Sequence, residues 1–210
     1  IFDLEQTAEL LVKAKEILKE AGMNGKTVLF VGTKDEVVKI VKESALKVEM
    51  PYVVNRWIGG MLTNLPEIKK RISRLADLTR EGESGELERK YTKKERLMIS
   101  REVDKLNFNF KGISAITKVP DLMIVVDPRH DHIAVKEAQN MKVKVIGIMS
   151  SDCNLANVAY PVLVNDALQG SVSVVLNELV TALAEGKSAF VPKVAPARTA
   201  TTPRPYTPRA

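Results

Sequence analysis

The chain has 210 residues, enough for one α/β domain with an appendage and for a sizeable core. Its 45% hydrophobic and 28% charged residues are ordinary for a soluble protein, while 5% aromatics leave the core to Val, Ile, Leu, Met and Ala. A formal charge of +6 favours an anionic partner such as nucleic acid or an anionic membrane surface; the single Cys153 excludes an internal disulfide framework and fits a reducing compartment; and no apolar run approaches the ~20 residues of a membrane span.

The sequence opens at Ile1, directly ahead of a helix start, with no secretory signal pattern, and the expectation is that the native N-terminus lies further upstream. Asp3 to Ala21 reads as a helix. Asp3 and Gln6 form a capping-box-like pair, Leu4, Ala8, Leu11 and Leu18 give an apolar face, and Gly22 suits the C-terminal end. Thr27–Val31 is a β-rich run read as a buried strand. Gly32-Thr33 turns the chain into a helix predicted over Lys34–Lys47, and Pro51–Val54 is the next strand. The stretch Arg56-Trp57-Ile58-Gly59-Gly60-Met61-Leu62-Thr63-Asn64 follows, with the only Trp and the only Gly-Gly pair of the chain. It lies at the C-terminal end of a strand, the edge where α/β sheets carry ligand-binding loops.

From Pro66 the pattern changes. Ile68, Ile72, Leu75 and Leu78 recur at helical steps, Glu81–Glu86 breaks the helix, and a second helix is expected from Thr92 to about Phe108. Its apolar face is carried imperfectly by Leu97, Met98, Arg101, Leu106 and Phe110. Two amphipathic helices around a Gly-containing turn read as an antiparallel hairpin, with thirteen Lys and Arg against nine Asp and Glu between Pro66 and Lys111. Strands resume at Asp121–Asp127 and Val143–Met149, with a short last one at Tyr160–Val164. Asp131 is expected to cap a helix to about Met141 with Ile133, Ala134 and Ala138 inward, and an apolar helix runs from Gly170 to Glu185, closed by Gly186. The alternation implies a parallel sheet covered on both faces. The expected organisation is one α/β domain from residues 1–64 and 112–186, an inserted hairpin at 65–111 and a disordered basic tail at 187–210. That tail holds five of the ten Pro, five basic residues and no acid.

The residues announce little catalytic chemistry. His130 and His132 read as exposed loop histidines and Cys153 as a small loop residue, so no metal site, cofactor or covalent chemistry is expected. Gly32-Thr33-Lys34 lies between a strand and a helix start but lacks the phosphate-loop spacing and reads as a turn. The hairpin reads either as a solvated helix pair or as a phosphate-binding arm. Lys69-Lys70-Arg71 and Lys93-Lys94 are its basic clusters, and Arg56-Trp57 adjoins it. Two roles fit Trp57: a ring stacked on an unpaired base, or a plug where hairpin meets body.

Asn55 through Asn64, followed by the Ile-Lys-Lys-Arg-Ile-x-Arg-Leu helix, closely resembles the signature of the bacterial-type ribosomal protein S-two family of the small subunit. Leu29–Lys34, Val119–Asp127, Ala134–Ala138, Tyr160-Pro161 and Asn165-Asp166 match in order, so the resemblance spans Ile1 to Gly186. It implies a flavodoxin-like three-layer fold with a five-stranded parallel sheet and an inserted helical hairpin. It further implies a non-catalytic constituent of the small ribosomal subunit, cytoplasmic or in an organellar ribosome. The partners it implies are small-subunit rRNA and neighbouring ribosomal proteins, including the large S-one protein, with no membrane and no DNA. Carried over by position, the rRNA-contact candidates are Arg56, Trp57, Asn64, Lys69, Lys70, Arg71, Arg74, Lys93, Lys94 and Arg96. The family's N-terminal Gly-Val-His-Phe-Gly-His-like motif is absent, and the loops at Ser151–Leu155 and Val164–Leu168 depart from its pattern. The competing reading is a flavodoxin-like enzyme or sensor binding a nucleotide or small ligand near Gly32 and Asp127; a third makes the hairpin a protein-docking arm.

Overall fold

The computed structural model describes residues 2–190; of the basic tail expected at 187–210, residues 191–210 lie outside them. Five strands, β1 (Val28–Val31), β2 (Tyr52–Val53), β3 (Leu122–Val126), β4 (Lys144–Met149) and β5 (Tyr160–Leu163), form one sheet in the order β2-β1-β3-β4-β5. Every pairing is parallel. This is the flavodoxin strand order, with its switch point between β1 and β3. All residues of β1 and β3 are buried, which explains why both read as continuous apolar runs.

Alternating side chains serve two cores. Val28, Phe30, Ile124 and Ile146 meet α1 (Leu4–Met23), α2 (Val38–Lys47) and α7 (Gln169–Ser188). Leu29, Val31, Met123 and Val145 meet α6 (His132–Asn140) together with the loop after β2 and the base of the inserted helices. In α1 the buried positions are Thr7, Ala14, Leu18 and Ala21; Leu4, expected inward, is exposed, because the buried stripe is set by packing against α7 and β5. Gly22 does not end α1. It lies inside the helix, where a Cβ would stand 2.7 Å from the Leu183 carbonyl oxygen, and at Gly186 a Cβ would run into the carbonyl of Lys19. The two glycines let α1 and α7 touch backbone to backbone, so α7 continues through Gly186 to Ser188. Lys187, assigned to the tail, donates from its Nζ to the Val48 carbonyl at 2.7 Å.

Helix α2 starts at Val38 rather than Lys34, after a turn over residues 35–37. Asp131 precedes α6 but makes no side-chain cap, because its carboxylate is engaged by Thr33. Ile133 faces solvent, and Val135 takes the inward position beside Ala134 and Ala138.

Between β2 and β3 the chain passes through α3 (Leu65–Glu83), a short α4 (Glu86–Lys90) and α5 (Lys93–Phe110), with a 3-10 turn at Lys111–Ile113. Gly85, at φ +71°, makes the reversal between α3 and α4 that an L side chain would strain. The Glu95 carboxylate accepts from the Thr92 amide at 2.8 Å and fixes the start of α5. The inner stripe of α5 is Ile99, Val103, Leu106 and Phe110, a four-three-four spacing. Leu97 and Met98, expected on it, are exposed.

Candidate nucleic-acid interface

The loop from Arg56 to Asn64 is held by one carboxylate. Glu137, on α6, is only 8% exposed. Its Oε1 accepts from the Gly60 amide at 2.7 Å and from the Trp57 Nε1–H at 3.2 Å. Its Oε2 accepts from the Leu62 amide at 3.1 Å and from the amide and hydroxyl of Thr63, each at 3.3 Å. Gly60, at φ +92°, gives the turn that points these amides inward. Burial alone would raise the Glu137 carboxyl, but the donors from Gly60, Leu62, Trp57 and Thr63 outweigh it and hold the group below the usual glutamate range.

This geometry decides between the two roles of Trp57. The ring is 7% exposed and packed in the core that joins body to inserted helices, with its one polar atom satisfied. Stacking on RNA needs an open face, so Trp57 is a plug and leaves the set of contact candidates.

The other candidates divide by partner. Arg56 and Asn64 are exposed, and Asn64 makes no side-chain cap to α3. Lys69 donates to the Thr117 carbonyl. Lys70 pairs with Glu67 at 2.9 Å, Arg74 with Glu102 at 3.6 Å, and Arg96 with Glu88 at 3.3 Å, leaving the Arg96 Nε buried without a partner. Arg71, Lys93 and Lys94 have no ion pair among the described residues. Lys105 and Lys111, not singled out from the sequence, are likewise unpaired there. A cavity of about 460 Å³ at the base of the helices is bordered by Gly59, Asn64, Arg71, Lys105 and the carboxylates Glu67 and Glu102.

The strand edge near Gly32 carries a different chemistry. Asp131 accepts from the Thr33 amide at 3.1 Å and from its hydroxyl at 2.7 Å, so a carboxylate already occupies the donors that a phosphate would use. Lys34 is tied to Asp127 at 3.2 Å. Asp127, Cys153 and Asp166 bring ligand-type atoms within 4.8 Å of one another, a grouping of oxygen and thiol donors that suits a divalent cation and that no local spacing announces. Burial, and then the charge of Asp127, push the Asp166 carboxyl up; burial pushes the Cys153 thiol up. With the Thr33 donors and the Lys34 cation already engaged by carboxylates, this edge is poorly suited to direct phosphate binding.

Together these features describe a flavodoxin-order α/β scaffold with an inserted helical arm that carries several cations free of ion pairs among the described residues. The chain belongs to the ribosomal protein S2 family, whose model matches residues 1–186. Among its relatives are the small ribosomal subunit proteins uS2 of Kocuria rhizophila, 40% identical over 89% of this chain and 65% of the relative, and of Nocardia farcinica, 42% identical over 90% and 66%. That of Picosynechococcus sp. is 38% identical over 89% of this chain and 73% of the relative. The chain thus spans about two thirds of the length of the curated relatives it matches. No described helix is long and apolar enough to cross a membrane.

Proposed function

We propose that this chain is a non-catalytic structural constituent of the small ribosomal subunit that binds small-subunit rRNA. Membership of the ribosomal protein S2 family over residues 1–186 carries the reading. The physical support is the placement of charge. Arg56, Asn64, Arg71, Lys93, Lys94, Lys105 and Lys111 offer donors unclaimed by carboxylates, while Lys70, Arg74 and Arg96 sit in ion pairs exposed enough to exchange a carboxylate for a phosphate at little cost. Residues 1–64 and 112–188, to the end of α7, act as one unit in this reading, 65–111 as an inserted arm and the residues after α7 as a basic tail. Neighbouring ribosomal proteins, including the large S-one protein, are its protein partners, and its setting is the cytoplasmic ribosome.

The test is cosedimentation of the full chain with small subunits depleted of their own S2 protein, at several salt concentrations. Affinity should fall steeply with salt, and Arg71→Ala or Lys105→Ala should each reduce the log–log slope by about 0.7–0.9. A chain that binds small-subunit rRNA no better than bulk RNA, and stays in the supernatant, overturns the reading.

A further inference from the structure

We propose that Phe108, on the outer side of α5, is a stacking platform for one unpaired base of the rRNA, with Lys42, Lys105 and Lys111 holding the phosphates beside it. The proposal rests on the rRNA-binding reading above. Phe108 is 59% exposed although Phe110, two residues on, is buried at 2%. The helix turns about 100° per residue, so the two rings leave it on different sides. At this exposure the Phe108 ring keeps an open aromatic face on the surface. Its backbone is fixed, because the Asn55 side-chain amide donates to the Phe108 carbonyl at 2.5 Å and ties the end of α5 to the loop after β2.

The surroundings of the ring choose the partner. Lys105 and Lys111 stand three residues before and after it, and Lys42 of α2 borders with it a notch of about 130 Å³. None of the three is ion-paired among the described residues. Asp104, one turn back on the same helix, is the only carboxylate within four residues of the ring on α5. A protein-docking aromatic is ringed by apolar neighbours that exclude water. Here the apolar lining of the notch is buried (Val53, Val54) or half-buried (Val38, Tyr52), and the exposed residues that line it beside the ring are Lys42, Asn55 and Lys111, the pattern that pairs base stacking with phosphate contact. It also supplies the open aromatic face that buried Trp57 lacks.

Phe108→Ala, Phe108→Leu and Phe108→Trp are made in the full chain and titrated into small subunits depleted of their S2 protein. In a second arm a photoreactive benzoyl-phenylalanine replaces Phe108. Ala and Leu should weaken association roughly 5- to 100-fold with the salt slope unchanged, while Trp holds the parent affinity. The photoreactive residue should give an RNase-sensitive crosslink to rRNA. Ala within twofold of the parent, or a crosslink to protein, overturns the stacking role while leaving the rRNA reading intact. Failure of the parent chain to bind overturns both. Thermal melts of all variants should coincide with the parent, since the side chain is exposed.

Discussion

Replacing Glu137 with glutamine alters one side chain by a single atom type and tests the loop directly. The carboxylate has two oxygens, and each accepts from a different set: Trp57 and Gly60 on one, Leu62 and Thr63 on the other. Glutamine keeps one acceptor and turns an NH2 toward the other set. In either orientation one fully buried donor, the Trp57 indole or the Leu62 amide, loses its partner, and at least one neighbour goes with it. At about 1–3 kcal/mol per orphaned buried donor, the cost is about 2–4 kcal/mol. For a domain of this size that lowers Tm by roughly 5–15 °C. Circular dichroism measures the melt, and emission from Trp57, the only Trp, reports the loop itself. The pH dependence is a second check. The folded carboxyl sits below the usual glutamate range, so its stabilisation is complete above about pH 4.3 and is lost as pH falls through the folded value. The gap between parent and Glu137→Gln should therefore close in acid. A Tm shift under about 2 °C at neutral pH, with Trp57 emission unchanged, would refute the assignment of the loop to this carboxylate.

Two further substitutions have signs fixed by the structure. Gly186→Ala places a Cβ against the Lys19 carbonyl and 3.0 Å from the Gly22 Cα, and overpacking of this kind costs about 1–3 kcal/mol or more; Gly59→Ala, which meets nothing within 4 Å, is the silent control for the same melts. Asp166→Asn, measured with a chelator present, should raise Tm at neutral pH. Burial and Asp127 raise the Asp166 carboxyl, so its charged form opposes folding above the ordinary aspartate range, and the gain should vanish as pH falls below that range. An Asp166→Asn melt below the parent at neutral pH would contradict that sign.

Strand positions and parallel order were legible because β1 and β3 are buried on both faces and so appear as unbroken apolar runs. Helix α7 was legible for a different reason: Val172, Val175, Leu176, Leu179, Val180 and Leu183 recur at helical spacing and are all buried. The phase of α1 and α5 was not. Leu97 and Met98 compete with Ile99 and Val103 for the inner stripe, and only the partner helix decides which pair is covered. Asp131 looked like a helix cap from its place before α6, yet its carboxylate is claimed by Thr33, 98 positions away in sequence. Glu137 gave no signal at all: on an amphipathic helix it is one more polar residue, and its five donors lie 74 to 80 positions away. Trp57 was marked as special correctly, but uniqueness in sequence does not say whether a ring faces solvent. Phe108, an exposed aromatic, sits between Asn107 and Asn109, off the apolar stripe of α5 that periodicity picks out.

The anchors of the inserted helices are unevenly distributed, and this bears on how the arm would read RNA. At its base the Glu137-held loop leads straight into α3, Asn55 grips the Phe108 carbonyl, and Lys69 grips the Thr117 carbonyl. Toward the tip the ties are exposed ion pairs, Lys90 with Glu86 and Arg96 with Glu88, which contribute little to rigidity. Under the rRNA-binding reading, Arg71, Lys105, Lys111 and Phe108 belong to the rigid part and can demand a defined RNA shape, since the groups that place them do not yield. Lys93 and Lys94, at the start of α5, meet phosphates from a part of the arm that can adjust, and add affinity without selecting a sequence. Under the same reading, the buried carboxylate on α6 sets the direction of cationic groups it never touches, and the specificity of the surface would depend on a residue buried away from the RNA.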